Sequence, residues 1–135
     1  MAMPRVLILE DSQTIGALFR DQLEGEPVEI VIAETAAEAR ERFEHEEFDI
    51  LVLDGIAPSE PGRGASLVGP ILAREFRERG FMGSIIAISS EPEAQALTKK
   101  AANEAVSYRA YACDKLDLGR LVKELLGLLW PTTPA

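Results

Sequence analysis

The chain has 135 residues, 47% apolar and 27% charged, the balance of one water-soluble domain whose core needs no staple. Asp and Glu number 23 against 14 Lys and Arg, a net charge of −9, so direct nucleic-acid binding is not expected. The single cysteine, Cys113, rules out an internal disulfide and the common zinc arrays. No apolar run approaches the roughly 20 residues of a membrane span, and no signal peptide is evident, so a cytoplasmic location is expected.

The first apolar run, Val6-Leu7-Ile8-Leu9, is short and aliphatic, which favours a strand over a helix fragment. Ile15, Leu18, Phe19 and Gln22-Leu23 then follow the spacing of an amphipathic helix. A weaker strand, Val28 to Ala33, carries Glu29 and is followed by a helical stripe of Ala36, Ala39 and Phe43. Ile50 to Leu53 forms the third strand. Beyond it lies a Gly/Pro-rich stretch, Gly55 to Ser66, longer than usual for a strand–helix connection and expected to be a mobile loop that shapes access to Asp54. Val68, Ile71, Leu72 and Phe76 mark the third helix, and Ile85 to Ile88 the fourth strand. Ala94, Leu97, Ala101 and Ala105 make a thinner helical stripe. Ser107 to Cys113, with Arg109, gives a fifth strand, and Leu118, Leu121, Val122, Leu125, Leu126 and Leu129 line the last helix. The domain is expected over residues 1–130. Pro131 to Ala135 reads as a frayed tail or the start of a linker.

Strand and helix alternate five times, which demands a parallel sheet with helices on both faces. The first, third and fourth strands are free of charge, as strands covered on both faces must be. Glu29 and Arg109 put the second and fifth at the edges. The order 2-1-3-4-5 of a doubly wound, flavodoxin-like (βα)5 fold satisfies this.

Ligands of such sheets bind beyond the carboxyl ends of the strands. Glu10 and Asp11 follow the first strand, Asp54 ends the third, Ser89 and Ser90 follow the fourth, and Lys115 follows the fifth. Any one of them alone would be an ordinary cap or solvated turn. Together at equivalent positions, three carboxylates, a hydroxyl and an ammonium make a site. Neighbouring carboxylates repel and favour a hard cation such as Mg²⁺, whereas Lys115 and Ser89 suit a phosphate oxygen.

In this order, Glu10-Asp11 in LILEDS, Asp54 in DILVLDG, Ser89 in AISSE and Lys115 in CDKLDL resemble the receiver domain of two-component response regulators, over nearly the whole chain. Pro58, four residues after Asp54, matches the same pattern. The resemblance implies that Asp54 accepts a phosphoryl group, and that Glu10, Asp11, Asp54 and the Ile56 carbonyl hold Mg²⁺. Ser89 and Lys115 would bind the phosphoryl oxygens. It further implies a sensor histidine kinase or phosphotransfer protein as donor and a downstream protein partner, with phosphorylation-dependent dimerisation left open. Such a protein is a switch that assists its own phosphorylation and hydrolysis, not an enzyme in the ordinary sense.

Departures from the family pattern accompany the match. Leu116 stands where the family usually has proline, and Ala112 where it has the switch aromatic, with Tyr111 one residue earlier. A one-residue offset turns that ring to the other sheet face. Pro58 and Gly69, adjacent landmarks in the family, lie eleven residues apart. These departures support an alternative, a receiver-like binding module that works without phosphorylation. A flavin protein is disfavoured because Glu10 and Asp11 would repel its phosphate. A haloacid-dehalogenase-type phosphatase is disfavoured because Ile56 stands where its second acid would be. His45, in an acidic run, reads as a solvated helix end, Cys113 as a small packed side chain and Trp130 as core. Gly62-Arg63-Gly64 lies away from any strand–helix junction and is no dinucleotide fingerprint.

Overall fold

The computed structural model describes residues 3–104 and 109–129. Its five principal strands coincide with the apolar runs: β1 (Arg5–Leu9), β2 (Glu29–Ala33), β3 (Ile50–Asp54), β6 (Ser84–Ile88) and β7 (Ala110–Ala112). All neighbours pair in parallel, in the order β2-β1-β3-β6-β7. This is the order expected from the charges: Glu29 is exposed on one edge strand, while β3 and β6 are buried throughout.

Side-chain alternation divides the core into two layers. Val6, Ile8, Ile50, Val52, Ile86 and Ile88 pack against α1 (Gln13–Gln22) and α5 (Leu118–Leu129). Leu7, Leu9, Leu51, Leu53 and Ile85 face the other way. They meet α2 (Ala36–His45), α3 (Gly69–Glu78) and α4 (Pro92–Asn103). Ser12 and Thr35 cap α1 and α2 through their hydroxyls, accepting from the Ile15 and Glu38 amides at 3.2 and 3.1 Å.

Three expectations change. The stretch after Asp54 is not an irregular loop: β4 (Ile56–Pro58) and β5 (Ala65–Leu67) pair antiparallel into a hairpin. The hairpin is fastened to α2, whose Ala37 amide donates to the Ser59 carbonyl at 2.8 Å. Ile71 and Leu97, counted among the core positions of α3 and α4, are 54% and 40% exposed. The two helices instead approach through small groups, with Thr98 Oγ1 close to Gly69 and Ala94 close to Gly55. Finally, the fifth strand as described is only Ala110–Ala112; Ser107, Tyr108, Ala105, Trp130 and the tail from Pro131 lie outside the described residues.

Arg77 closes the far end of the α3–α4 layer. Its guanidinium is almost wholly buried and donates to the carbonyls of Ala102, Phe81, Gly83 and Arg109 at 2.6–3.0 Å. One side chain thus joins α3, the end of α4 and the entries to β6 and β7.

Candidate functional site

Parallel strands all end on one edge, so the residues following β1, β3, β6 and β7 are brought together by topology alone. Glu10 follows β1, its backbone bonded to the Ala33 carbonyl of β2 at 2.9 Å. Asp54 is the last residue of β3. Both carboxylates are buried, at 1% and 3% exposure, whereas Asp11 is open to solvent. Carboxylate oxygens of Glu10, Asp11 and Asp54 lie within 4.8 Å of one another.

Lys115 reaches into this cluster from the turn after β7. Its Nζ is 2.8 Å from Asp54 Oδ2 and 2.7 Å from Glu10 Oε1. The other Asp54 oxygen accepts from the Ile56 amide at 3.1 Å, and Glu10 Oε2 accepts from the Ser12 amide at 3.1 Å. Glu10 Oε1 is buried and has the Lys115 ammonium as its partner, so one lysine serves both buried carboxylates. Burial, with the charge of Asp11 added, pushes the Asp54 carboxyl above its ordinary range even though Lys115 and the Ile56 amide draw it down. Glu10 is raised for the same first reason, with Asp54 as the repelling neighbour. For Lys115, burial acts downward, but its contacts with Asp54 and Glu10 outweigh it and hold the ammonium above its usual value.

Ser89 is buried immediately after β6, its Oγ accepting from the Glu91 amide at 3.1 Å. Its hydroxyl hydrogen remains available to an acceptor on the sheet edge. All the side chains singled out in the sequence therefore stand on the C-terminal edge of the sheet, with Glu10, Asp11, Asp54 and Lys115 in mutual contact range. The Ile56 backbone adjoins Asp54 through its amide.

The peptide bond between Lys115 and Leu116 is trans, since no described peptide bond is cis. Tyr111 packs in the layer of α1 and α5, while Ala112 is exposed on the opposite side, so the offset ring does face away from α4. Sequence reasoning missed the role of two glutamines, Gln22 and Gln95, that bond to the segment carrying Lys115. Neither carries a motif signal. It also missed the cleft of about 600 Å³ between the hairpin and α2, lined by Asp11, Glu34, Glu38, Pro58 and Pro61 among others.

No protein-family model matches the chain, and no curated protein matches it. Solved structures do. Response regulator TrrA of Thermotoga maritima, solved in complex with Mg²⁺ and BeF, is 28% identical with a TM-score of 0.69, covering 92% of this chain and 100% of its own. A CheY-like response regulator receiver domain protein from Methanospirillum hungatei is 22% identical, with a TM-score of 0.70 and coverage of 93% and 95%. A two-component response regulator from Clostridium difficile is 17% identical at a TM-score of 0.70, again covering 93% and 95%. Among the described residues no helix is long and apolar enough to cross a membrane. In fold, the chain belongs with the receiver domains of response regulators.

Proposed function

We propose that the protein is a phosphorylation-dependent signalling switch whose phosphoacceptor is Asp54. The observation that carries this reading is the bridging ammonium of Lys115, 2.7–2.8 Å from two buried carboxylates at the ends of neighbouring strands. The carboxylate oxygens of Glu10, Asp11 and Asp54, within 4.8 Å of one another and with one ammonium between two of them, fit a hard divalent cation with oxygen ligands. Glu10, Asp11, Asp54 and the Ile56 carbonyl would hold Mg²⁺, which when bound offsets negative charge on the transferring phosphoryl group.

In the reaction an Asp54 carboxylate oxygen attacks phosphorus in line with the leaving group. An oxygen–phosphorus bond forms as the bond to a phosphohistidine nitrogen, or to the oxygen of a small acyl phosphate, breaks with its electron pair. Lys115 moves from pairing with Asp54 to pairing with a phosphoryl oxygen, and the Ser89 hydroxyl donates to another. The acyl phosphate brings about −1.5 to −2 of charge to the site. That charge biases the segment from Ser89 through α4 and the turn at Lys115, the surface offered to a downstream protein. The donor is a sensor histidine kinase or phosphotransfer protein.

A second reading, a binding module that works without phosphorylation, draws on the absence of an aromatic side chain at Ala112, on the α4 side of β7. Intact mass after incubation with acetyl phosphate and Mg²⁺ separates the two. A gain of one phosphoryl group that vanishes in Asp54→Asn supports the switch. No adduct from this donor or from a phosphorylated kinase domain supports the binding module.

A further inference from the structure

Lys115 opens a 3-10 turn (Lys115–Asp117) that runs directly into α5. A single turn of this kind has little stiffness of its own. Asp117 donates to the Asp114 carbonyl at 2.9 Å, and the Leu118 amide to the Lys115 carbonyl. No proline reinforces it. Leu116 is 75% exposed, so its side chain anchors the turn little. A proline at 116 would also disfavour the helical backbone that Lys115 adopts as first residue of the turn.

Two glutamines from distant helices grip this segment. Gln22, the last residue of α1, uses both ends of its amide: Nε2 donates to the Leu116 carbonyl at 3.0 Å, and Oε1 accepts from the Gly119 amide at 2.8 Å. The absence of a side chain at Gly119 permits this approach, because a Cβ there would lie 2.5 Å from Gln22 Cβ. From the other side Gln95, in the first turn of α4, donates Nε2 to the Cys113 carbonyl at 2.8 Å. Cys113 is itself bonded through its amide to Ala87 of β6 at 3.2 Å. The chain is thus held at 113 before the lysine, and at 116 and 119 after it.

We infer that Gln22 and Gln95 are positioning residues for Lys115, setting its ammonium against Asp54 and Glu10. The inference rests on the reading of Lys115 as a phosphoryl ligand. A lysine ammonium is a point charge on a flexible four-carbon stem, so its reach is fixed by where the backbone places the stem. A displacement of about 1 Å at a reacting centre is enough to slow a reaction by up to ~100-fold. The three bonds are neutral, one exposed and two partly buried, so their loss affects the rate more than the fold.

The test uses the full chain, with acetyl phosphate and Mg²⁺ as probe, on wild type, Gln22→Ala, Gln95→Ala, the double variant and Gln22→Glu. The double variant is expected to be phosphorylated at least ~10-fold more slowly, with the single variants between. Gln22→Glu keeps the acceptor for Gly119 and loses less than Gln22→Ala. In parallel, with neither metal nor donor present, the nuclear Overhauser contact between the Lys115 ε-methylene and the Asp54 β-methylene weakens in the double variant. A folded double variant that keeps this contact and the wild-type rate overturns the inference. So does a rate that falls only in proportion to the folded fraction. Should the double variant fail to fold, the same two measurements on the single variants decide the matter. Should wild type accept no phosphoryl group, the functional reading fails, and the methylene contact alone decides whether the glutamines position Lys115.

Discussion

Replacing Gly69 by alanine inserts one methyl group where three elements converge. A Cβ there would lie 2.4 Å from Thr98 Oγ1, 2.6 Å from Gly55 Cα and 2.8 Å from the Asp54 carbonyl oxygen. The hydroxyl cannot swing away freely, because Thr98 is fully buried and its Oγ1 donates to the Ala94 carbonyl at 2.8 Å. The other two atoms are backbone, in the turn that carries Asp54. Overpacking of this kind costs ~1–3 kcal/mol, and two backbone neighbours place it at the upper end. Position 69 is the first of α3 and directly precedes Pro70, where a Cβ on helical backbone is itself disfavoured, so alanine regains nothing as a helix former and the net loss is about 3 kcal/mol. With a urea dependence of ~2 kcal/mol per molar, the unfolding midpoint should fall by about 1.5 M. Gly64→Ala is the control, since a Cβ at Gly64 meets nothing within 4 Å; it should change stability by under ~0.5 kcal/mol. Adding Thr98→Ala to Gly69→Ala relieves the hydroxyl contact but also deletes the buried γ-methyl, and should restore only part of the loss. A Gly69→Ala midpoint equal to wild type, or full rescue by Thr98→Ala, would refute the argument that the Asp54–Gly55 backbone is the rigid wall.

Arg77→Met removes the shared donor of four carbonyls and should cost ~3–5 kcal/mol in chemical denaturation; a loss under ~1 kcal/mol would show that water replaces the guanidinium. Burial, with Asp117 and Asp114 adding to it, pushes the Cys113 thiol up to about 11, so about one molecule in a thousand carries the thiolate at pH 8. Alkylation by iodoacetamide should therefore climb about tenfold per pH unit from 8 to 10, and a plateau by pH 9 would contradict the burial argument. The side chain of Ile56, two residues after Asp54, has no donor or acceptor with which to orient an attacking water. Ile56→Asn should shorten the lifetime of phosphorylated Asp54 several-fold without slowing its formation, and equal dephosphorylation rates would point to the hairpin as the controlling shield.

The sheet was legible because its constraints are written residue by residue. A strand covered on both faces carries charge only at its ends, as Arg5 and Asp54 show, so Glu29 and Arg109 were enough to choose between the two common doubly wound orders. The candidate site was legible for a related reason: parallel topology converts "next after a strand" into "together in space", which gathers Glu10, Asp54, Ser89 and Lys115. The hairpin escaped notice because Ile56–Pro58 and Ala65–Leu67 are three residues each, contain proline, alanine and serine, and lack the alternation of a half-buried strand. Ile71 and Leu97 were misplaced because periodicity marks an apolar stripe without saying how wide the seam is. Here glycine, alanine and threonine bring α3 and α4 close enough to leave both larger side chains outside. Gln22, read only as a position on the first helix's face, and Gln95 gave no signal of their role, since a glutamine that binds backbone reads like any solvated one.

The amide of Gly69 donates to the carbonyl of Gly55 at 3.1 Å, so the point where the chain leaves β3 and the point where it enters α3 are fastened together. Everything between is a side excursion with a closed neck. Its ladder ends in a tip at residues 60–64 that is exposed throughout and held by a surface pair between Glu60 and Arg63. A segment so closed can lengthen, shorten or accept a grafted sequence at its tip while the strand register and the setting of Asp54 stay as they are. Residues can thus be added beside Asp54 without re-solving the fold, and the same tip offers an experimenter a place to insert a reporter near the sheet edge that carries it.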